Sequence, residues 1–269
     1  MQFPMKAAAT AIMLFGAIQA GPARALQCES GDFNAWLADV KKDATAKGIG
    51  ARGIAALDGL APDPAVIKAD RNQGVFSQTF EQFSSRMITP RLARGRLKML
   101  EQAGLLQRIE TQFGVSGAVL VAIWGLETSY GVIQGNFATI RSVATLAYDC
   151  RRTERFQGEL FDALRIVDRG DLALANMKGA WAGELGQTQF MASSYMKYAV
   201  DFDGDGKRDL QRSVPDVLAS TANYLKGNGW VKGAGWEPGQ PNFNVLKEWN
   251  KSETYVRTVA LFATKLDAP

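Results

Sequence analysis

Along most of the chain, apolar residues recur at intervals of three and four, the period of a helix with one buried face. Phe33, Trp36, Leu37 and Val40 share such a face. Residues 92–106 form a basic amphipathic pattern, with Arg91, Arg94, Arg96 and Lys98 set against Leu92, Leu97 and Leu100. It predicts a helix with a solvated charged face, and Pro90 just before it predicts a break. Phe156, Leu160, Phe161, Leu164 and Val167 mark another amphipathic helix, and residues 214–225 and 256–266 mark two more. Residues 118–126 are apolar nearly all round, which predicts a fully buried helix, and Ser116 stands where a cap would be. Residues 227–244 are rich in Gly and Pro and read as a loop. No series of alternating strands, internal repeat or low-complexity linker is present. The fold class is therefore mainly α, in a single compact unit.

Composition narrows the chemistry. The 269 residues are 46% hydrophobic and 22% charged, enough to bury a core. Histidine is absent, which excludes Ser-His-Asp and Cys-His nucleophiles and every histidine metal site. Cys28 and Cys150 are the only cysteines, too few for a zinc or iron–sulfur centre. No phosphate-binding GxxxxGK[ST] segment occurs, and Gly48-Ile49-Gly50-Ala51-Arg52-Gly53 fits GxGxxG without a strand before it, so it reads as a helix end and turn. An enzyme built from this chain has to work with carboxylates, amides, hydroxyls and aromatic rings.

The first residues resemble an export signal. Lys6 supplies the positive start, residues 7–18 the apolar core, and Ala23-Arg24-Ala25 the cleavage site, so residues 1–25 are expected to leave a mature chain of residues 26–269 in the periplasm. Gln27 precedes Cys28 where a lipid-anchoring signal would need a small residue, and no membrane span is expected. The signal carries Lys6 and Arg24 and no acid, so the 31 basic residues fall to 29 against 27 acids. That balance argues against a nucleic-acid partner. In an oxidising compartment Cys28 and Cys150 are expected to pair as a disulfide.

Three segments carry candidate chemistry. Glu127 ends the apolar run, near the negative end of a helix dipole, and both desolvation and dipole favour its protonated form, as a general acid requires. A buried Glu127 paired with Arg141 or Arg151 explains the segment equally well. The glycine-rich segment 179–191 brings Trp181, a flat apolar face suited to a sugar ring, with Gln187 and Gln189 as neutral hydrogen-bonding groups. The loop 201–209 places Asp201, Asp203, Asp205, Lys207 and Asp209 at positions 1, 3, 5, 7 and 9 of an EF-hand-type loop, with Gly206 at the turn. Arg212 occupies position 12, where a bidentate acid belongs, so a solvated acidic turn offset by Lys207, Arg208 and Arg212 is preferred to a calcium site.

Taken together, these segments resemble the lytic murein transglycosylase B family. The likeness spans essentially the whole mature chain. It rests on Gly125-Leu126-Glu127-Thr128 with Tyr130-Gly131, on Cys150-Arg151-Arg152 with Phe156, and on Lys178-Gly179-Ala180-Trp181-Ala182-Gly183. Gly186-Gln187-Thr188-Gln189-Phe190-Met191, Ala222-Asn223-Tyr224-Leu225 and Trp249-Asn250 follow in the same order. The resemblance implies a lysozyme-like catalytic domain with additional helices, acting as a monomer on peptidoglycan glycan strands and needing no cofactor. It implies Glu127 as sole acid/base catalyst, Gln189, Tyr224, Trp249, Asn250 and Tyr255 along the glycan cleft, and Arg151 and Arg152 as partners for substrate carboxylates. Trp249 stands where the best-known member of the family has a tyrosine, and Ala180 where the family often has a serine beside the glutamate, which leaves open what orients Glu127. A hydrolytic muramidase using Glu184 as a second carboxylate, and a wall-binding protein without catalysis, are the alternatives.

Overall fold

The computed structural model describes residues 31–72 and 78–268. The export segment, its cleavage site and Cys28 lie outside the described residues. In chain order the α-helices are α1 (Phe33–Ala46), α2 (Ala51–Ala55), α3 (Pro64–Arg71), α4 (Phe80–Glu101), α5 (Ala103–Phe113) and α6 (Gly117–Thr128). They continue as α7 (Thr139–Tyr148), α8 (Thr153–Arg169), α9 (Ala192–Tyr198), α10 (Val214–Gly227), α11 (Pro241–Trp249) and α12 (Glu253–Asp267). Two short strands, β1 (Phe137–Ala138) and β2 (Lys178–Gly179), pair antiparallel with Phe137 opposite Gly179. The mainly α reading holds, and none of these helices alone is long and apolar enough to cross a membrane.

The apolar helix α6 is the axis of the molecule. Ser116 caps it by accepting from the Ala118 amide, and every residue from Gly117 to Leu126 is buried. Helices α4, α5, α10 and α12 pack against it. A second group assembles on α8, whose apolar face meets α2, α7 and α9. The GxGxxG segment is the turn from α1 into α2, and its Gly50 and Gly53 amides donate to the Asp168 carboxylate at 2.9 and 3.2 Å. A side chain, not a phosphate, satisfies that helix start.

Three expectations need correction. Pro90 does not break the chain: α4 runs through it from Phe80 to Glu101, and the break falls at Gln102. Proline removes one amide donor, and packing of α4 on α6 and α12 holds the helix across the gap. The charged face of α4 holds only in part, since Arg94 and Arg96 are exposed as expected. Arg91 turns inward, donating to Met87 O at 2.8 Å and to Gly125 O at 2.9 Å, while Leu97 and Leu100 are exposed. Finally, the loop after α10 ends at Gln240, because Pro241 opens α11 at the position where a missing amide costs least.

A charge cluster around a buried aspartate ties α3 to the turn between α7 and α8. Asp70, at the end of α3, has a fully buried side chain and accepts from Arg71 at 2.6 Å and from Arg151 and Arg152. Burial pushes its carboxyl up, and the three guanidinium groups outweigh that and hold it below the ordinary range. Arg71 also pairs with Asp149 at 2.6 Å.

Candidate active site

Glu127 is in the last turn of α6, and the chain leaves that helix abruptly. Ser129, Tyr130 and Gly131 follow with φ of 52°, 63° and 80°. Two consecutive non-glycine residues in the left-handed region are costly and need fixed surroundings. Those exist here: Tyr130 OH donates to Arg91 O at 2.9 Å, and Thr128 Oγ1 donates to Gln187 O at 2.6 Å and accepts from the Gly131 amide at 2.9 Å. Gly131 cannot be replaced without strain, since a Cβ there would lie 2.4 Å from Gln187 Oε1. The same Oε1 accepts from Trp124 Nε1 at 2.8 Å, and Gln187 Nε2 donates to Gln211 O at 3.0 Å. Gln187 is therefore a buried clamp between α6 and the segment after β2.

That segment folds into a tight irregular loop. Gly179 pairs across to Leu185, and Leu185 to Phe190. A Cβ on Gly179 would come within 1.7 Å of Glu184 O, so only glycine permits the approach. Gln189, at φ 55°, is held by its own side chain, which donates to Gly186 O at 2.8 Å and Gln134 O at 3.2 Å.

The result is a cleft of about 680 Å³ with Glu127 at its base, lined by Ala180, Glu184, Gln189, Tyr224, Trp249 and Asn250 among others. Trp249 Nε1 donates to Glu127 Oε1 at 3.1 Å, and Tyr255 OH, from the first turn of α12, donates to the same oxygen. Burial pushes the Glu127 carboxyl from its ordinary 4.5 to about 7, the two donors pull it down, and the charge of Glu184 pushes it up. Burial and the neighbouring Glu127 push the Tyr255 phenol well above its ordinary range, which keeps it a donor. Glu184 is also pushed up, by burial first, against its backbone hydrogen bonds and the charges of Arg155 and Arg152. Its Oε2 is buried with no hydrogen-bond partner among the described residues.

The structure brings Glu127, Gln189, Tyr224, Trp249 and Asn250 into one cleft, with Tyr255 behind the acid. It decides the choice left open for Glu127: Arg141 lies beside Asp63 and donates to Ala61 O and Pro62 O, Arg151 pairs with Asp70, and neither reaches Glu127. Arg151 and Arg152 do not line the cleft, because the buried Asp70 claims both. Trp181 packs half-buried on the core and is not among the lining residues. The cation that does line it is Arg155, one helical turn beyond Arg151, together with Lys251. Sequence reasoning passed over both, although an i, i+4 spacing from Arg151 would have pointed to Arg155.

In the acidic loop, Asp201 accepts from the amides of Gly204 and Gly206 at 2.7 and 2.8 Å. The expected compensation by cations is missing: Arg208 pairs with Asp171, Arg212 donates to Asn176 Oδ1, and no described cation pairs with Asp201, Asp203 or Asp205. Asp216, in the first turn of α10, supplies a carboxylate that the spacing rule did not find, within 4.8 Å of those of Asp201 and Asp203. Three carboxylate oxygens at that separation are a donor set suited to a hard divalent cation.

Residues 32–240 match the family described as the Transglycosylase SLT domain. The membrane-bound lytic murein transglycosylase B of Escherichia coli is 37% identical over 196 residues, 69% of this chain and 53% of that protein. The chain thus spans about half the length of this curated relative. SltB3 from Pseudomonas aeruginosa, solved with NAG-NAM-pentapeptide, superposes with a TM-score of 0.84 at 32% identity over 89% of this chain and 80% of that one. Its complex with NAG-anhNAM-pentapeptide gives 0.83 at 33%, over 88% and 80%. An Escherichia coli lytic transglycosylase in complex with calcium gives 0.76 at 26%, over 86% and 92%.

Proposed function

Because the chain belongs to the Transglycosylase SLT domain family, we propose that it is a lytic transglycosylase cleaving the β-1,4 bond between N-acetylmuramic acid and N-acetylglucosamine in peptidoglycan. One observation carries this reading: the Glu127 carboxyl, pushed up to about 7 by burial, lines an open cleft with one oxygen held by two donors. A carboxyl protonated near neutral pH gives a proton to the glycosidic oxygen as the C1–O bond breaks. The substrate's 2-acetamido group stabilises the positive charge at C1. Glu127, now the anion, takes the proton of the muramyl C6 hydroxyl, whose oxygen bonds to C1 and closes a 1,6-anhydro ring. One group serves both steps, so neither a second carboxylate nor an activated water enters.

Gln189, Tyr224 and Asn250 would bind the glycan along the cleft walls, and the Trp249 ring would stack on it. Arg155 and Lys251 are better placed than Arg151 and Arg152 to meet substrate carboxylates. Asp201, Asp203 and Asp216 would hold a calcium ion that ties α10 to its preceding loop and takes no part in the chemistry. Residues 1–25 would direct the chain to the periplasm and be removed there, where Cys28 and Cys150 would pair and the enzyme would act as a monomer.

Mass analysis of products from purified sacculi tests the reading. Chains ending in 1,6-anhydromuramic acid, lighter by one water than reducing ends, are expected, and Glu184→Gln should retain most activity. Glu184 lines the cleft with an unpartnered oxygen, which favours a second reading, a hydrolytic muramidase. Reducing-end products together with an inactive Glu184→Gln would establish that reading instead.

A further inference from the structure

Glu127 is gripped by one oxygen only. Trp249 Nε1 reaches Oε1 from the end of α11, and Tyr255 OH reaches it from α12. Oε2 takes no hydrogen bond from any described residue. Ala180, which also lines the cleft, carries no hydroxyl to offer it. The indole is also fixed in direction. It meets Phe190 and Tyr224 edge to face, with ring centroids 5.4 and 5.0 Å away. Tyr224 OH donates to the carbonyl of Glu248, the residue before Trp249, at 2.7 Å. Backbone and ring are both anchored, so the N–H has one direction in which to point.

We propose that Trp249 is a positioning residue. Its indole N–H, acting with Tyr255, fixes Oε1 as the acceptor oxygen and leaves Oε2 as the single oxygen through which Glu127 gives and takes its proton. This deepens the acid/base reading of Glu127 and rests on it. In the first step the Oε2–H bond breaks, its electron pair stays on Oε2, and the proton goes to the departing glycosidic oxygen. In the second step Oε2 takes the proton of the C6 hydroxyl as that oxygen bonds to C1. Oε1 stays held throughout, and the N–H bond strengthens when the carboxyl is ionised. Trp249 therefore stabilises the anion that forms midway.

The charged and titratable groups around Glu127 are Tyr255 on α12, Glu184 after β2, Arg155 and Glu159 on α8, Tyr224 on α10, Glu248 on α11, Lys251 beyond it, and Arg91 of α4 behind Tyr255. All of them stay in place when the indole nitrogen is replaced, and of these only Tyr255 also has the Trp249 side chain as a hydrogen-bond partner. The test is the full chain with Trp249 replaced by 3-benzothienylalanine, in which sulfur stands for the N–H and the ring keeps its shape. Trp249→Phe is the encodable companion, and thermal melting of both controls for folding. The Glu127 carboxyl is followed by ¹³C NMR titration, assigned with Glu127→Gln, and turnover is measured against pH on sacculi.

A higher Glu127 midpoint is expected, with the alkaline limb of activity moving up alongside it. The loss in kcat is expected to be about tenfold to a hundredfold, the worth of one hydrogen bond to a charged group. KM should stay within about twofold, because the ring wall remains. An unchanged midpoint and kcat, or a change in KM alone, would reduce Trp249 to a wall for the sugar. The NMR midpoint reads the hydrogen bond without turnover, so a failure of the acid/base reading, seen as an active Glu127→Gln, is separable from a failure of this one.

Discussion

At the residue scale the molecule turns on how Glu127 is kept protonated. Its burial at the end of an apolar helix outweighs two hydrogen bonds that favour the anion. Glu127→Gln is expected to lower turnover by about 10²–10⁴-fold, since an amide keeps the shape but moves no proton. Wild-type activity should fall as pH rises through about 7, where the acid is lost. Stability follows the same group. The folded carboxyl holds its proton to a higher pH than the unfolded one, so its contribution is complete below about pH 4.5 and is lost as pH rises through about 7. Urea unfolding should therefore find Glu127→Gln more stable than wild type above pH 7, by about 1–2 kcal/mol, with the gap closing in acid. The figure stays below full linkage because the side chain keeps some contact with water. Motif order made Glu127, Gln189, Tyr224, Trp249 and Asn250 legible. Arg151 and Arg152 were not, because the acid that claims them lies some eighty residues earlier and nothing local marks it.

At the element scale the strong periodicities translated directly: α1, α6, α8, α10 and α12 fall where the apolar spacing puts them. What failed were local rules overridden by packing. Pro90 is carried inside α4, and Arg91 follows the Gly125 carbonyl inward instead of following its charge outward. The loop after β2 was legible as glycine-rich, yet its role as a clamp was not, since Gln187 works through residues far away in sequence. Gln187→Leu removes the acceptor of Trp124 Nε1 and the donor to Gln211 O, and leaves both buried or half-buried. A loss of about 2–4 kcal/mol in urea unfolding is expected. A loss below about 0.5 kcal/mol, the scale of ordinary surface changes, would mean that the turn after α6 holds itself.

At the scale of the whole molecule, charge ties parts that are far apart in sequence, and the proposed metal and disulfide would add two further ties. Asp70→Asn would leave Arg151 and Arg152 without their anion and Arg71 with Asp149 alone, and about 1–3 kcal/mol of stability should be lost, since the guanidinium groups are half-exposed. A melting temperature within a degree or two of wild type would show that solvent screens the three guanidinium groups. Adding calcium to metal-stripped protein should raise the melting temperature, and ~100 times the dissociation constant would add about 2.7 kcal/mol. No shift would return the loop to the solvated acidic turn preferred on the sequence. Alkylation of unreduced protein from an oxidising compartment should label neither Cys28 nor Cys150, whereas two labels would exclude the bridge. Its roughly 120-residue loop would add on the order of 4–5 kcal/mol in the chain-entropy model.

The two groups that hold Glu127 come from residues 249 and 255, while the acid itself is made more than a hundred residues earlier. During synthesis α4 and α5 can pack on α6 before α11 and α12 exist, but the acid then lacks its donors and its aromatic wall. On the proposed reading, the catalyst would stay incomplete until its last helices are made. A chain cut short before Trp249 would carry Glu127 and lack the two donors that hold it, so such a product would be expected to be inert.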